Sequence, residues 1–421
     1  MTLPETDILT AIVGRVFRID EVTIGNPNPL PLVQTPTPRP SSGTNPPRPG
    51  NGIAPPRYFM RYRGELTLDS IEAYDQLAAA LLPYGITPLF RIEEGRQTIL
   101  LIRGTIQPRP GRAWVNILLF ALTVLSVMFA GATFSYDGPL PNDLVGQITV
   151  LVTHIWVGWP FALSLLAILL AHEFGHYFVG RARGAAISLP YFIPFPFSPL
   201  GTLGAFIQMK QLPRNKRALF DLAIAGPLAG LVVAIPVLLI GLSRSTLSPI
   251  AATPGNFLEG NSLLYLLAKF AVFGKLLPAS TTLTGLPLLY HWVSFFFTGL
   301  PVPVGSLDVM IDQVAWAGWI GLLVTFLNLL PAGQLDGGHI VYAVFGRRVN
   351  IFLPVILVVT ILLWFFWSGW WLWAFMILFM GRVHAEPLDQ ITQLNPSRKA
   401  QAVLMLVIFL LVLMPVPMVI F

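Results

Sequence analysis

The chain has 421 residues, of which 54% are hydrophobic and only 11% charged, with a mean hydropathy of +0.69. That balance excludes a soluble multidomain protein over most of the length and indicates a polytopic α-helical membrane protein. The formal charge of +6 comes from basic residues flanking apolar runs, which excludes nucleic acid as a partner, and the lack of cysteine excludes disulfides, thiolate zinc sites and thiol switches.

Residues 1–24 form a mixed segment with charges scattered through it, suited to a short helix and a strand but not to a cleavable signal peptide. Residues 25–57 are Pro-rich and read as an extended linker. A small soluble α+β module follows over 58–110: a strand at Tyr58–Leu66, a helix from Ser70 to Leu82 capped by Asp69, and strands at Thr87–Ile92 and Gln97–Ile102. It carries no catalytic constellation.

From 114 to 421 the chain reads as a membrane domain. About seven transmembrane helices are expected, near 114–134, 148–179, 218–242, 314–330, 352–367, 370–380 and 402–418. The runs 263–277 and 286–300 are spanning or re-entrant, and would raise the count to eight or nine. Arg103, Arg109 and Arg112 precede the first span, whereas the loop 136–147 has no Lys or Arg, which places the N-terminal module in the cytoplasm. Between the second and third spans, 185–211 is apolar but broken by four prolines. Such backbone survives at membrane depth only where protein or a cavity shelters it, and Gly204–Met209 would suit a strand there.

The second span carries His172-Glu173-Phe174-Gly175-His176. Residues four apart share one helix face, so both imidazoles can reach one ion, and Glu173 stands beside the first of them to accept a proton from water. Charged groups at membrane depth cost roughly 2.5–3.5 kcal/mol each, so they need a function to be retained. Core histidines satisfied by hydrogen bonds are the competing reading, and the spacing, helix and apolar setting together favour a metal site.

A catalytic zinc needs a third protein ligand and an open position. The extended pattern ending in a third histidine fails, because Val179 and Ala182 stand where Gly and His are required, and after Glu173 the next glutamate is Glu259. Asp221, Asp308 and Asp312 border spans and read as caps or interfacial charges. Asp336 lies past a proline break, ahead of two glycines and at the same membrane face as the histidines, and is favoured as the ligand over a turn cap. His339 is the rival. Asn328 either donates its amide to a developing oxyanion or bonds between helices, two readings that the residues leave even.

His-Glu-Phe-Gly-His at 172–176, with Asn328-x-x-Pro331 and Leu335-Asp336-Gly337 in a later span, resembles the site-2 protease family of intramembrane zinc metalloproteases over about 114–381. The run from Ala317 to Pro331 most resembles the branch that includes chloroplast and cyanobacterial members. The resemblance implies one Zn2+ per chain held by His172, His176 and Asp336, with Glu173 as general base and Asn328 assisting. It implies an integral membrane endopeptidase acting on membrane-anchored proteins, in a cell membrane or a thylakoid-type membrane, with its site opening to the cytoplasmic side. No PDZ-like insertion lies between the spans, and the first 110 residues fall outside the shared core. The alternatives are a metal-binding transporter and a pseudoprotease that binds membrane clients.

Overall fold

In the computed structural model, which describes residues 5–25, 58–105, 111–251, 257–279, 283–381 and 386–420, the chain divides into two units. The first gathers the described residues before 108 together with two short segments from far along the chain, 211–216 and 386–393. Nearly all of the Pro-rich linker, 26–57, lies outside the described residues.

The first unit contains α1 (Thr6–Val13), β1 (Phe17–Ile24), β2 (Met60–Leu66), α2 (Ser70–Leu81), β3 (Ile86–Glu93) and β4 (Arg96–Arg103). The strands form one antiparallel sheet in the order β1-β2-β4-β3, so residues 17–24 belong to the same sheet as the strands beyond the linker. Positive φ at Glu94 and Gly95 gives the two-residue turn that matches strand twist in the β3–β4 hairpin. Asp69 caps α2 by accepting from the Ile71 N–H at 3.0 Å. Alternation along the strands sends Tyr62, Phe90 and Ile99 into one core with Leu9 and Val13 of α1 and Leu77 of α2.

The two distant segments extend this sheet. The Phe90 N–H donates to the Leu388 carbonyl at 2.9 Å and the Gln390 N–H to the Phe90 carbonyl at 3.1 Å, in parallel register. On the far side the Leu388 and Asp389 N–H groups donate to the carbonyls of Pro213 and Arg214. Asp389 is fully buried, and its carboxylate accepts from the hydroxyls of Ser70 and Thr392 and from the N–H groups of Ile391 and Thr392. Asp389→Ala leaves those donors unpaired and is expected to cost about 3 kcal/mol. Thermal unfolding of the full chain, with hydrogen exchange at 388–391, measures this, and an unchanged profile contradicts it.

The second unit is mainly helical: α3 (Ala113–Ser135), α4 (Leu144–Thr153), α5 (Trp159–Ala182), the hairpin β5 (Tyr191–Pro194) and β6 (Thr202–Phe206), and α6 (Lys216–Arg244). Then come β7 (Thr246–Pro249), β8 (Phe257–Glu259), α7 (Leu263–Phe273), α8 (Gly285–Thr298), β9 (Leu307–Met310), α9 (Gln313–Asn328), α10 (Asp336–Phe345), α11 (Phe352–Trp364), α12 (Trp370–Met380), α13 (Pro396–Val412) and β10 (Met418–Ile420). β7 pairs with β9 and β8 with β10, both antiparallel.

Among the described residues three stretches have the length and composition to cross a membrane, Ala113–Ser135, Ile155–Ala182 and Lys216–Arg244. A fourth is possible by length if the pair Asp336–Val349 and Phe352–Trp364, bent by 119°, is counted as one span. The seven-span expectation counted apolar runs, but α9 has 16 residues and α12 has 11, against about 20 for a straight crossing. The run expected to cross from 148 to 179 is likewise divided. α4 stops at Thr153, His154 leaves helical geometry, and α5 starts afresh with Pro160 in its first turn, where a missing N–H costs nothing. Gly158 lies at this break because a Cβ there would fall 2.1 Å from the Met128 carbonyl of α3.

Helices α5, α6 and α9 pack through small residues, the means by which backbones approach where lipid supplies no hydrophobic drive. A Cβ at Gly175 would stand 2.6 Å from the Ala225 carbonyl, one at Gly318 2.6 Å from Leu238 Cα, and one at Gly241 2.0 Å from the Ala315 nitrogen. This three-helix contact sets the distance between the His172–His176 face of α5 and its neighbours, and positions the site.

Candidate metal centre

Helix α5 carries His172, Glu173 and His176, all buried, at 4%, 5% and 5% exposure. Two glycines of α6 make room for the imidazoles. A Cβ at Gly226 would lie 2.0 Å from His176 Nε2, and one at Gly230 would lie 3.2 Å from His172 Nδ1. The His176 Nδ1–H donates to the Leu222 carbonyl of α6 at 2.8 Å, since a carbonyl can only accept. That bond fixes the tautomer and leaves the Nε2 lone pair free to bind a cation.

Asp336 arrives from 160 residues downstream of His176. Helix α9 ends at Asn328, the chain turns through Pro331 and Gly333 (φ +54°), and α10 begins at Asp336 itself. Gly337 and Gly338 permit this turn, because a Cβ on either would meet backbone carbonyls of Leu329 and Gly333 at 2.0 and 2.4 Å. The carboxylate therefore sits in the first turn of a helix, where the dipole favours negative charge.

The three ligand atoms converge. His172 Nε2 and His176 Nε2 each lie 3.3 Å from Asp336 Oδ2, and 3.2 Å from one another. Two imidazole nitrogens and a carboxylate oxygen at such distances form a set of ligand atoms that one cation would bring together. Tetrahedral zinc with bonds of about 2.0–2.1 Å sets its ligands about 3.3 Å apart, so the donor set and its spacing fit zinc. Among the described residues this is the one group of three or more His, Asp or Glu side chains with such convergence.

Asn328 places its amide nitrogen 3.2 Å from His172 Nε2, at the edge of the cluster. His339, the rival ligand, is buried on α10 but is not one of the converging residues. Of the other aspartates, Asp312 caps α9 by accepting from the Val314 and Ala315 N–H groups, and Asp308 pairs with buried Lys269 at 3.1 Å. Asp221 lies within α6 and holds two arginines, an arrangement that no local pattern announced.

In the proline-broken segment, β5 and β6 form an antiparallel hairpin. Helix α3 holds it: the Asn116 amide donates to the Leu189 and Pro190 carbonyls, and the Ser126 hydroxyl to the Gly201 carbonyl. Among the described strands β6 pairs with β5 alone, so its other edge has no strand partner.

Residues 160–366 match peptidase family M50. Over this stretch the chain is similar to that family, the site-2 protease family. The M50 match takes in α5, the hairpin, α6, α9 and α10, and so every residue of the convergence. Among its relatives are two proteins named probable zinc metalloprotease EGY1, chloroplastic. That of Oryza sativa subsp. japonica is 30% identical over 59% of this chain and 41% of the relative. That of Arabidopsis thaliana is 28% identical over 75% of this chain and 56% of the relative. The probable zinc metalloprotease EGY2, chloroplastic, of Oryza sativa subsp. indica is 30% identical over 61% and 42%. The chain spans about half the length of these M50 relatives.

Proposed function

We propose that this chain is a zinc-dependent intramembrane endopeptidase, with one zinc per chain, that hydrolyses peptide bonds within or near transmembrane segments of membrane-anchored proteins. The observation that carries this reading is the convergence of His172, His176 and Asp336 within 3.2–3.3 Å among apolar helices. Zinc bound there would polarise the scissile carbonyl and lower the pKa of water toward 7. Glu173, next to His172 and shielded from solvent, accepts the proton of the attacking water and passes it to the leaving amine. Asn328 directs its amide toward the carbonyl oxygen as charge develops on it. The buried setting keeps other nucleophiles away.

A helical substrate has its backbone groups already bonded and must unwind before attack. The free edge of β6 offers an unwound segment new backbone partners by strand addition. Phe206→Pro, at the end of β6, and Gln208→Pro, two residues beyond it where the N–H donates to the Ser188 hydroxyl, are each expected to slow cleavage of a membrane-anchored substrate by about 10-fold, because proline removes a backbone donor worth around 1 kcal/mol and distorts the edge. Turnover of a purified reporter in detergent or proteoliposomes tests it, and unchanged rates rule out the platform.

The shorter helices complete about seven crossings in this reading, and the arginine distribution puts the N-terminal module and the site opening on the cytoplasmic side, or its stromal equivalent in a thylakoid-type membrane. The relatives' names carry the word chloroplastic, which agrees with such a membrane.

A further inference from the structure

We propose that Asp221 is a positioning residue for His176, acting through the carbonyl of the residue that follows it. The proposal rests on the zinc reading above. Asp221 is the sixth residue of α6, and its side chain is only 10% exposed. Arg398 in the first turn of α13 grips it with both prongs of its guanidinium, Nε at 2.7 Å and Nη2 at 2.6 Å. Arg183, directly after the end of α5, donates from Nη2 at 2.7 Å. Arg398 is itself held by Asn395, which caps α13 and also accepts from the Arg398 Nη1 at 3.2 Å. One carboxylate thus ties the ends of three helices together, with a planar fork that lysine cannot reproduce.

What this clamp fixes is the short stretch of α6 ahead of Pro227. Proline there removes the N–H that would have bonded to the Ala223 carbonyl, and its ring crowds that carbonyl, so the helix is weakest just past the residues that face His176. Leu222, whose carbonyl takes the His176 Nδ1–H at 2.8 Å, lies in that stretch, one residue beyond Asp221. The direction of the Leu222 carbonyl relative to α5 therefore follows from where the Asp221–Arg183–Arg398 contacts hold the start of α6. A brace whose sole duty was stability would have no reason to sit beside the acceptor that sets a ligand's tautomer.

Outer partners of metal-binding histidines change metal affinity by about 10–100-fold when altered. Asp221→Asn in the full-length protein is expected to weaken zinc by about 10-fold or more in a competition titration and to shift the visible bands of the cobalt-substituted protein, with helix content kept. Arg398→Lys, which keeps the charge and loses the fork, is expected to move both readings the same way by a smaller amount. It decides the matter if Asp221→Asn fails to fold. Parental zinc affinity and an unshifted cobalt spectrum in the folded variants would reduce the clamp to a brace and overturn the proposal. A parent protein that binds no zinc at all removes the metal reading first, and this inference with it.

Discussion

Replacing Glu173 with glutamine is expected to lower cleavage of a membrane-anchored substrate by about 10²–10⁴-fold, the range that a positioned general base contributes, while zinc content stays at the parental level. The substitution changes one carboxylate oxygen for an amide and nothing in volume, which matters at a position only 5% exposed. Glu173 is not one of the three residues whose ligand atoms converge, so metal should survive its loss. Reporter turnover and elemental analysis on the same preparation read both halves. Full activity in the variant would mean that another group takes the proton, and lost zinc would mean that Glu173 helps to hold the ion.

The Gly226→Ala protein is expected to lose zinc almost entirely, beyond the roughly 100-fold that marks the upper end for outer-partner changes. A methyl at that position would overlap the His176 ring, 2.0 Å from Nε2, 2.4 Å from Cδ2 and 2.5 Å from Cε1. The ring has little room to retreat, since Nδ1 is held by the Leu222 carbonyl and Nε2 faces both His172 and Asp336. Nor can the backbone back away cheaply, because Gly175 of α5 already meets the Ala225 carbonyl of α6. Gly230→Ala is the graded control. Its Cβ would stand 3.2 Å from His172 Nδ1, so a shift of a few tenths of an ångström suffices and affinity should fall far less. Zinc competition on the two variants tests the pair, and parental affinity in Gly226→Ala contradicts the packing described above.

The features written in local pattern were those the sequence made legible. His172, Glu173 and His176 follow from helical periodicity, and the proline break and glycines around Asp336 mark it out in the sequence. The α2 cap and the β3–β4 hairpin are local too. What stayed hidden depends on partners far away in sequence. The pairing of β1 with β2 spans a Pro-rich stretch, and residues 213–215 and 388–390 become sheet edges through two or three backbone bonds that no side-chain pattern encodes. Helix α10 was missed because Asp336-Gly337-Gly338 argues for a turn, yet Asp336 begins a helix of ten residues. The apolar run ahead of the HExxH likewise hid the break at 154–158, since hydropathy does not report where a glycine must meet another helix. Asp221 looked like an interfacial charge because its two arginines lie 38 residues before it and 177 after.

Zinc X-ray absorption, with elemental analysis, on the purified full chain and on Asp336→Ala tests the His172–His176–Asp336 centre directly. One zinc per chain is expected in the parent, with nitrogen and oxygen ligands at about 2.0–2.1 Å, and at most a small fraction of that zinc in the variant. Zinc retained in full without Asp336, or a parent that cleaves its substrate free of metal, would contradict this expectation.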